Sequence, residues 1–168
     1  MKVFKEIMSY VLIIVLVLLF KKFVYSPIRV NGDSMNPTLK NGDIMIMNAI
    51  GYHINGLNRF DIVVVNSDER LIKRVIGLPG DYISYKDNIL YVNGKEVEED
   101  FDHDVTHNFE MSEITDKEVI PEGYYLVLGD NRGNSKDSRM IGLVSDSQIM
   151  GKVIKKVLFP FKRFGNVK

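Results

Sequence analysis

A long apolar stretch near the N-terminus places the strongest constraint on how this chain can fold. Residues 7–25 form a 19-residue segment, and its centre, 11–20, contains only aliphatic and aromatic side chains. A helix needs about 20 apolar residues to cross the hydrocarbon core of a bilayer. Lys21 and Lys22 lie near the end of the segment, where long basic side chains can reach the headgroups. The sequence therefore predicts a transmembrane anchor over 7–25, preceded by a short segment, 1–6.

A buried core helix and a cleavable signal peptide are the alternatives to an anchor. A helix in the core of a globular domain is rarely apolar on every face. A cleavable signal peptide carries small residues directly after its apolar run, and residues 21–25 include none. Basic residues flank the stretch on both sides, so the positive-inside rule does not assign an orientation. An uncleaved anchor is the interpretation that these features favour.

The rest of the chain, 26–168, shows short apolar segments separated by turn residues, which is typical of β-strands. The segments 61–65 and 70–76 are predicted to form a hairpin, and Asn93-Gly94 is a strongly favoured hairpin turn. The fold class is predicted as all-β, with folded-over antiparallel sheets or a barrel following one transmembrane helix. Strands are predicted at 28–30, 44–47, 61–65, 70–76, 82–85, 88–92, 96–97, 124–128 and 149–157.

The composition excludes several kinds of site. The chain has no cysteine, so it has no disulfide, zinc–thiolate site or cysteine nucleophile. Its 22 basic and 22 acidic residues balance, whereas a nucleic-acid-binding protein usually carries a basic excess. We therefore expect no nucleic-acid partner.

One acidic stretch, 98–117, is weakly patterned and is predicted to be a loop or variable excursion within the domain. It contains a group of histidines and aspartates: Asp102, His103, Asp104 and His107. A metal site there is an alternative to a solvated loop, which is the favoured interpretation. We predict neither a metal nor a cofactor.

Three motifs stand out from the strand pattern. Ser34 lies in Gly-Asp-Ser-Met-Asn-Pro-Thr, residues 32–38, and Lys73 begins Lys-Arg-Val-Ile-Gly-Leu-Pro-Gly-Asp, residues 73–81. The third motif, 129–139, reads Gly-Asp-Asn-Arg-Gly-Asn-Ser-Lys-Asp-Ser-Arg. A serine hydroxyl is a poor nucleophile until a base removes its proton. None of the three histidines lies in a nucleophile or strand-end motif, so a Ser-His-Asp triad has little support, although sequence distance alone does not exclude it.

Lysine can act as the base only when it is neutral. An exposed lysine has a pKa near 10.4, and a base that works near pH 7–8 needs a fall of about 3 units, which desolvation can supply. If 70–76 is a strand, Lys73 shares one face with Leu71 and Val75. The opposite face then carries Ile72, Arg74 and Ile76. An apolar setting for Lys73 fits a base, but it also fits an edge-strand lysine that prevents aggregation.

Taken together, the three motifs resemble the conserved motifs of the type I signal peptidases, which are membrane-bound serine proteases that remove signal peptides. The resemblance covers nearly the whole chain, and its short length and single anchor resemble the Gram-positive form. It implies that Ser34 is the acylating nucleophile and Lys73 the general base. Lys73 would also protonate the leaving amine and activate the deacylating water, and Ser135 would orient the lysine ammonium.

The resemblance also assigns supporting roles. Asp137 and Arg139 would form an ion pair that holds the third motif, and Arg74 would be structural. The backbone amide of Ser34 would contribute to the oxyanion hole. Some family members carry a serine at the position of Gly32, whose hydroxyl helps to bind the oxyanion; here only the backbone of Gly32 could do so.

The implied substrates are preprotein signal peptides with small residues, often alanine, one and three positions before the cut. Such a peptide would add as a strand between 28–34 and 70–73. Val30, Met35, Leu71 and Ile72 are the predicted pocket residues. The resemblance implies residues 1–6 inside the cell and the catalytic domain on the outer face of the cytoplasmic membrane, with the lipid bilayer and the secretion translocon as further partners.

Two other functions are considered. A non-catalytic, membrane-anchored protein that binds signal peptides would not need both Ser34 and Lys73. A self-cleaving repressor of the Ser-Lys kind carries a DNA-binding helical segment, and nothing before Ser34 fits a helix-turn-helix. Active proteolysis is therefore the favoured function.

Overall fold

A computed structural model describes residues 2–157 and 164–165 of the protein. Three α-helices lie in this part of the chain: α1 (Lys2–Val24), α2 (Gly51–Asn55) and α3 (Ser138–Ile141). The strands are β1 (Tyr25–Arg29), β2 (Ile44–Asn48), β3 (Ile62–Asn66), β4 (Arg70–Gly77), β5 (Ile83–Lys86), β6 (Ile89–Val92), β7 (Lys95–Val97), β8 (Phe109–Glu110), β9 (Tyr124–Leu128), β10 (Val144–Ser145), β11 (Ile149–Val157) and β12 (Phe164–Gly165). Strands dominate after α1, which confirms the all-β prediction.

Two antiparallel sheets make up the domain that follows α1. The larger sheet has the strand order β1-β2-β11-β3-β4-β9-β10, with β12 paired to β11. The smaller sheet has the order β7-β6-β5-β8. The predicted hairpin is present, because β3 and β4 pair with Val65 opposite Leu71 and Val63 opposite Lys73.

The hairpin of β3 and β4 lies at the centre of the core because both of its faces are covered. Successive side chains of a strand point to opposite faces, and here each face enters a different cluster. One cluster includes Ile62, Val64 and Ile72, and the other includes Val63, Val65, Leu71 and Val75. Burial on both faces explains why β3 reads as a continuous apolar run, Ile-Val-Val-Val, in the sequence.

Most predicted strands are confirmed. The predictions for β9 and β11 coincide with the observed bounds, and those for β2 to β7 differ by one or two residues at their ends. β1 is displaced: it spans Tyr25–Arg29, whereas the prediction was 28–30. It follows α1 directly and is an edge strand, where Pro27 needs no ladder partner for its missing N–H.

The stretch 98–117 differs in part from the predicted loop. It contains β8 and a single-turn 3-10 helix, Met111–Glu113. Phe109 and Met111 are buried, at 8% and 0% exposure, in the cluster that covers the smaller sheet. A two-residue strand is too short to produce a recognisable alternation, so only these isolated apolar residues in an acidic stretch indicated its place.

Helix α1 covers nearly all of the predicted anchor, although Tyr25 already belongs to β1. The apolar side chains between Ile7 and Val17 are 45% to 67% exposed. By length and hydropathy, no helix among the described residues is sufficient to cross a membrane. The transmembrane anchor therefore stays a prediction.

Candidate active site

Ser34 lies in the turn that connects β1 to β2. The base of this turn is closed by two backbone hydrogen bonds: Val30 N–H donates to Asp43 O at 2.8 Å, and Gly42 N–H donates to Val30 O at 2.9 Å. Met35, the next residue after the serine, is buried at 1% exposure. The turn is thus fixed to the core on one side, and Ser34 is left half-buried at its surface.

Lys73 reaches Ser34 from the middle of β4. Its side chain is almost fully buried, at 1% exposure, and its Nζ lies 2.7 Å from Ser34 Oγ. Nζ also donates to the carbonyl oxygen of Ile72 at 3.0 Å. The structure therefore brings the predicted nucleophile and the predicted base into direct contact.

Burial lowers the pKa of Lys73 from its usual 10.5 to about 8. Removal from water disfavours the charged ammonium, and this effect outweighs the opposing attraction of Asp137, Glu69 and Asp130. The sequence predicted such a fall from the apolar alternation around Lys73. A neutral amine is thus accessible near physiological pH, as a base at this position requires.

The loop after β9 supports the serine turn from the other side. Asn131 N–H donates to Ser34 O at 3.1 Å, and its side-chain Nδ2 donates to Asp33 O at 3.1 Å. Gly129 packs so closely that an added Cβ would clash with Ser34 O and with the side chain of Ser135. Only glycine allows this approach of the two segments.

Ser135 lies beside Gly129, yet its hydroxyl is not bonded to Lys73. Its Oγ is buried and has no hydrogen-bond partner among the residues that the structure describes. The predicted contact with the lysine ammonium therefore stays a prediction. A buried hydroxyl without a partner carries a desolvation cost, so Ser135 would gain from a hydrogen bond formed during a reaction.

A buried ion pair joins β4 to the same loop. Arg74 donates from Nε to Asp130 Oδ1 at 2.9 Å and from NH2 to Oδ2 at 2.7 Å, and both side chains are 0% exposed. Thr38 Oγ1 donates to Asp130 Oδ2 at 2.6 Å, and Arg74 NH1 donates to Phe60 O at 3.0 Å. The geometry fits the structural role predicted for Arg74. The sequence did not predict the roles of Asp130 and Thr38, although Thr38 lies in the motif 32–38 and Asp130 in the motif 129–139.

The predicted ion pair of Asp137 and Arg139 is present. Arg139 donates from Nε at 2.9 Å and from NH2 at 2.7 Å to the two carboxylate oxygens of Asp137. Asp137 also caps α3 and accepts the backbone N–H of Gly129 at 3.0 Å. This carboxylate therefore ties the end of β9 to the start of α3.

Gly32 has a positive φ of +89°, in the left-handed region that favours glycine. Its backbone N–H donates to Asn41 Oδ1 at 3.2 Å. This donor, predicted to help bind an oxyanion, is thus engaged within the turn. The role of the Ser34 amide stays a prediction.

The four predicted pocket residues are all buried, but they do not lie together. Val30, Met35 and Ile72 belong to one core cluster, and Leu71 packs in the other cluster across the sheet. Among the described residues, two strand edges near the site are unpaired: β1 has only β2 as a neighbour, and the stretch 70–73 of β4 pairs only with β3. These edges offer backbone groups to an extended chain.

Two of the three histidines lie near carboxylates. His53 lies 4.0 Å from Asp146, and His103 lies 3.4 Å from Glu99. Among the described residues, no group of three or more His, Cys, Asp or Glu side chains could hold a metal ion.

The fold and the site define a class of protein: an antiparallel β-sheet protein in which a serine hydroxyl contacts a buried lysine. The family model described as "Signal peptidase, peptidase S26" matches residues 3–158, and the chain belongs to this family. The resemblance inferred from the three motifs is thereby confirmed.

Individual relatives agree with this assignment. The chain is 47% identical over 153 residues to signal peptidase I of Bacillus caldolyticus, covering 84% of each chain. It is 39% identical to signal peptidase IB of Staphylococcus aureus, covering 95% of this chain and 93% of the relative. A crystal structure of signal peptidase I from Enterococcus faecalis is 38% identical and superposes with a TM-score of 0.52, covering 57% of this chain and 95% of that one.

We expect Lys73→Met to stabilise the fold by up to about 3 kcal/mol at pH 7, since each pKa unit corresponds to about 1.4 kcal/mol. The pKa is lower in the folded state than in the unfolded state. The cost of the buried charge is therefore fully present below pH 8 and disappears as the pH rises towards 10.5. Thermal unfolding at pH 7 and at about pH 9.5 measures the gain, which should shrink at the higher pH. The exposed Lys40→Met serves as the control, and an equal gain at both pH values would contradict the explanation.

Proposed function

We propose that this protein is a serine endopeptidase with a Ser34–Lys73 dyad that removes N-terminal signal peptides from exported preproteins. The observation that carries the proposal is the 2.7 Å contact between Ser34 Oγ and a lysine amine whose pKa is lowered to about 8. Membership of the signal peptidase family supports the choice of substrate. No other serine motif of the chain has comparable support.

In the proposed acylation step, neutral Lys73 accepts the proton of the Ser34 hydroxyl as Oγ attacks the scissile carbonyl carbon. The tetrahedral oxyanion is stabilised by the backbone N–H of Ser34. The carbon–nitrogen bond then breaks, and the Lys73 ammonium gives its proton to the leaving amine. The products of this step are the mature protein and an acyl-enzyme ester on Ser34.

In the proposed deacylation step, Lys73 is neutral again and removes a proton from a water molecule, whose oxygen attacks the ester carbonyl carbon. The bond from that carbon to Ser34 Oγ then breaks, Lys73 returns the proton to Oγ, and the signal peptide leaves with a new carboxyl group. Ser135 is the group that we assign to orient the ammonium, because its buried hydroxyl has no other partner among the described residues. The Gly32 amide would contribute to the oxyanion hole only after release from Asn41, to which it donates here. The amide of Ser34 is therefore the principal donor in this proposal.

The substrate is proposed to bind as an additional strand between β1 and residues 70–73 of β4. Both edges lack a partner on one side, and added strands gain main-chain hydrogen bonds. Val30, Met35 and Ile72 pack together beneath this site, so a peptide would meet an apolar floor. Leu71 packs in the other cluster, on the face of β4 that it shares with Lys73, and is not part of this apolar floor. Small residues such as alanine would suit this shallow surface.

A non-catalytic protein that binds signal peptides is the second candidate. Its support is the same pair of free strand edges, which could hold a peptide without cutting it. A buried lysine in contact with a serine is unnecessary for such a role, and it carries the cost of a depressed pKa.

We expect Ser34→Ala and Lys73→Ala each to lower preprotein cleavage by at least about a thousandfold, since neither nucleophile nor base can be replaced from the described contacts. The assay incubates detergent-solubilised protein with a preprotein and measures cleavage by separating the products on a gel. Lys95→Ala, at an exposed position in β7 of the smaller sheet, is the control. Undiminished cleavage by either variant would contradict the proposed Ser34–Lys73 dyad. If the unaltered protein bound signal peptides without cleaving them, the second candidate would be favoured.

The pH dependence follows from the lowered pKa of Lys73. Below about pH 8 the ammonium predominates, so kcat/KM should fall about tenfold for each further pH unit. Single-turnover cleavage from pH 5 to pH 9 would measure this, with circular dichroism to show that the protein remains folded. A rate that stays flat down to pH 6 would exclude Lys73 as the base.

We further propose that α1 anchors the domain as a single transmembrane helix, with residues 1–6 in the cytoplasm and the domain on the outer face of the membrane. Support comes from its apolar side chains, which are exposed between Ile7 and Val17, and which water would solvate unfavourably. The lipid bilayer and the secretion translocon are then the proposed partners besides the preprotein.

Sodium carbonate extraction of membranes tests the anchor. We expect the full chain to stay with the membranes, and the double substitution Leu12→Arg and Val15→Arg to release it, because arginine at the centre of a helix disfavours insertion by about 3 kcal/mol per residue. Leu12→Ile with Val15→Ile is the matched apolar control. Release of the unaltered protein would overturn the proposal.

A further inference from the structure

The segment 98–106, predicted as part of a variable loop, packs on the loop that supports the serine turn. Asp104 N–H donates to Asp130 O at 3.0 Å. The Phe101 ring lies 3.9 Å from the guanidinium of Arg74, a cation–π geometry. Glu99 reaches the neighbouring Arg132. We call residues 98–106 the strap, because this segment crosses the loop and contacts it at several points.

The strongest contact of the strap is a buried ion pair between Glu99 and Arg132. Arg132 NH2 donates to Glu99 Oε1 at 2.6 Å, and the Arg132 side chain is 0% exposed. Its NH1 donates to Tyr85 OH and Thr106 Oγ1, while its Nε is buried without a partner among the described residues. Glu99 is therefore the only carboxylate that the structure pairs with this guanidinium in the described part of the chain.

Arg132 stands next to the residue that holds the nucleophile. Asn131 donates its backbone N–H to Ser34 O and its side-chain Nδ2 to Asp33 O, each at 3.1 Å. Arg132 N–H in turn donates to Asp130 O at 3.0 Å. The loop is thus fixed on one side by the serine turn and on the other by Glu99, so a displacement of Arg132 passes directly to Asn131.

We propose that Glu99 is a positioning residue for the serine turn: through Arg132 and Asn131, it holds Ser34 at the distance from Lys73 that proton transfer requires. The catalytic part of this inference rests on the proposed function, whereas the positioning of the turn does not. A misplacement of reacting groups by about 1 Å can cost up to a hundredfold in rate. Because the contacts described for Glu99 join it to Tyr85, His103 and Arg132 and not to the free strand edges, KM should change little.

The test is Glu99→Gln in the full-length, detergent-solubilised protein, with two measurements. The first is kcat and KM for preprotein cleavage, and kcat should fall tenfold to a hundredfold with KM within twofold of the unaltered protein. The second is hydrogen exchange of the Asn131 amide, which should accelerate at least about tenfold as its bond to Ser34 O weakens. The Val127 amide, which donates to Ser138 Oγ in the core, should exchange at an unchanged rate.

Two further variants separate positioning from general stability. Glu98→Gln removes the same charge from the exposed neighbour and should leave both measurements unchanged. Glu99→Leu combined with Arg132→Met replaces the ion pair by apolar side chains, an exchange that often preserves stability. This double variant should recover the melting temperature lost in Glu99→Gln, yet retain the low kcat and the fast Asn131 exchange.

The inference is overturned if Asn131 exchange is unchanged in Glu99→Gln, or if kcat in the stable double variant returns to within twofold of the unaltered protein. The proposed function fails separately, if the unaltered protein does not cleave the preprotein or if Ser34→Ala still does. Hydrogen exchange then decides the positioning role on its own, because it needs no substrate.

Discussion

The site depends on the buried ion pair between Arg74 and Asp130. Arg74 belongs to β4 beside Lys73, and Asp130 belongs to the loop that carries Asn131. The pair therefore fixes the proposed base relative to the residue that supports the turn of Ser34. Thr38 adds the serine turn to the same carboxylate. A charge pair with 0% exposure contributes little net stability when intact, but loss of one partner costs about 3–5 kcal/mol. The pair instead holds β4, the loop after β9 and the serine turn in one arrangement.

The environment of Lys73 sets burial in the core against solvation of its charge. The fold buries an amine whose charged form is better solvated in water, and the lowered pKa of Lys73 reflects the free-energy cost of burying that charge. If Lys73 is the base that we propose, stability is exchanged here for reactivity, as is common at functional sites. The three carboxylates that oppose the shift keep it moderate, so the amine stays available near neutral pH while the protein remains folded.

Local sequence predicted the parts of this structure that local physics controls. The β3–β4 hairpin, the strand β9 and the low pKa of Lys73 all follow from apolar runs and their turns. The support of the serine turn could not be predicted in this way, because Asp130 and Asn131 act through contacts with residues far away in the chain. The same reason hid the strap: an acidic stretch looks solvated until Arg132 provides a buried partner for Glu99.

The turn that holds Ser34 has a consequence for the timing of synthesis. Lys73 is 39 residues from Ser34, but the bonds from Thr38 to Asp130 and from Asn131 to Asp33 close loops of 92 and 98 residues. Contacts so distant in sequence form late, because the entropy of a long loop must be overcome before they can stabilise anything. A growing chain therefore carries Ser34 for most of its synthesis without the contacts that support its turn. In the proposed mechanism, the nucleophile can react only after the last quarter of the polypeptide has joined the fold.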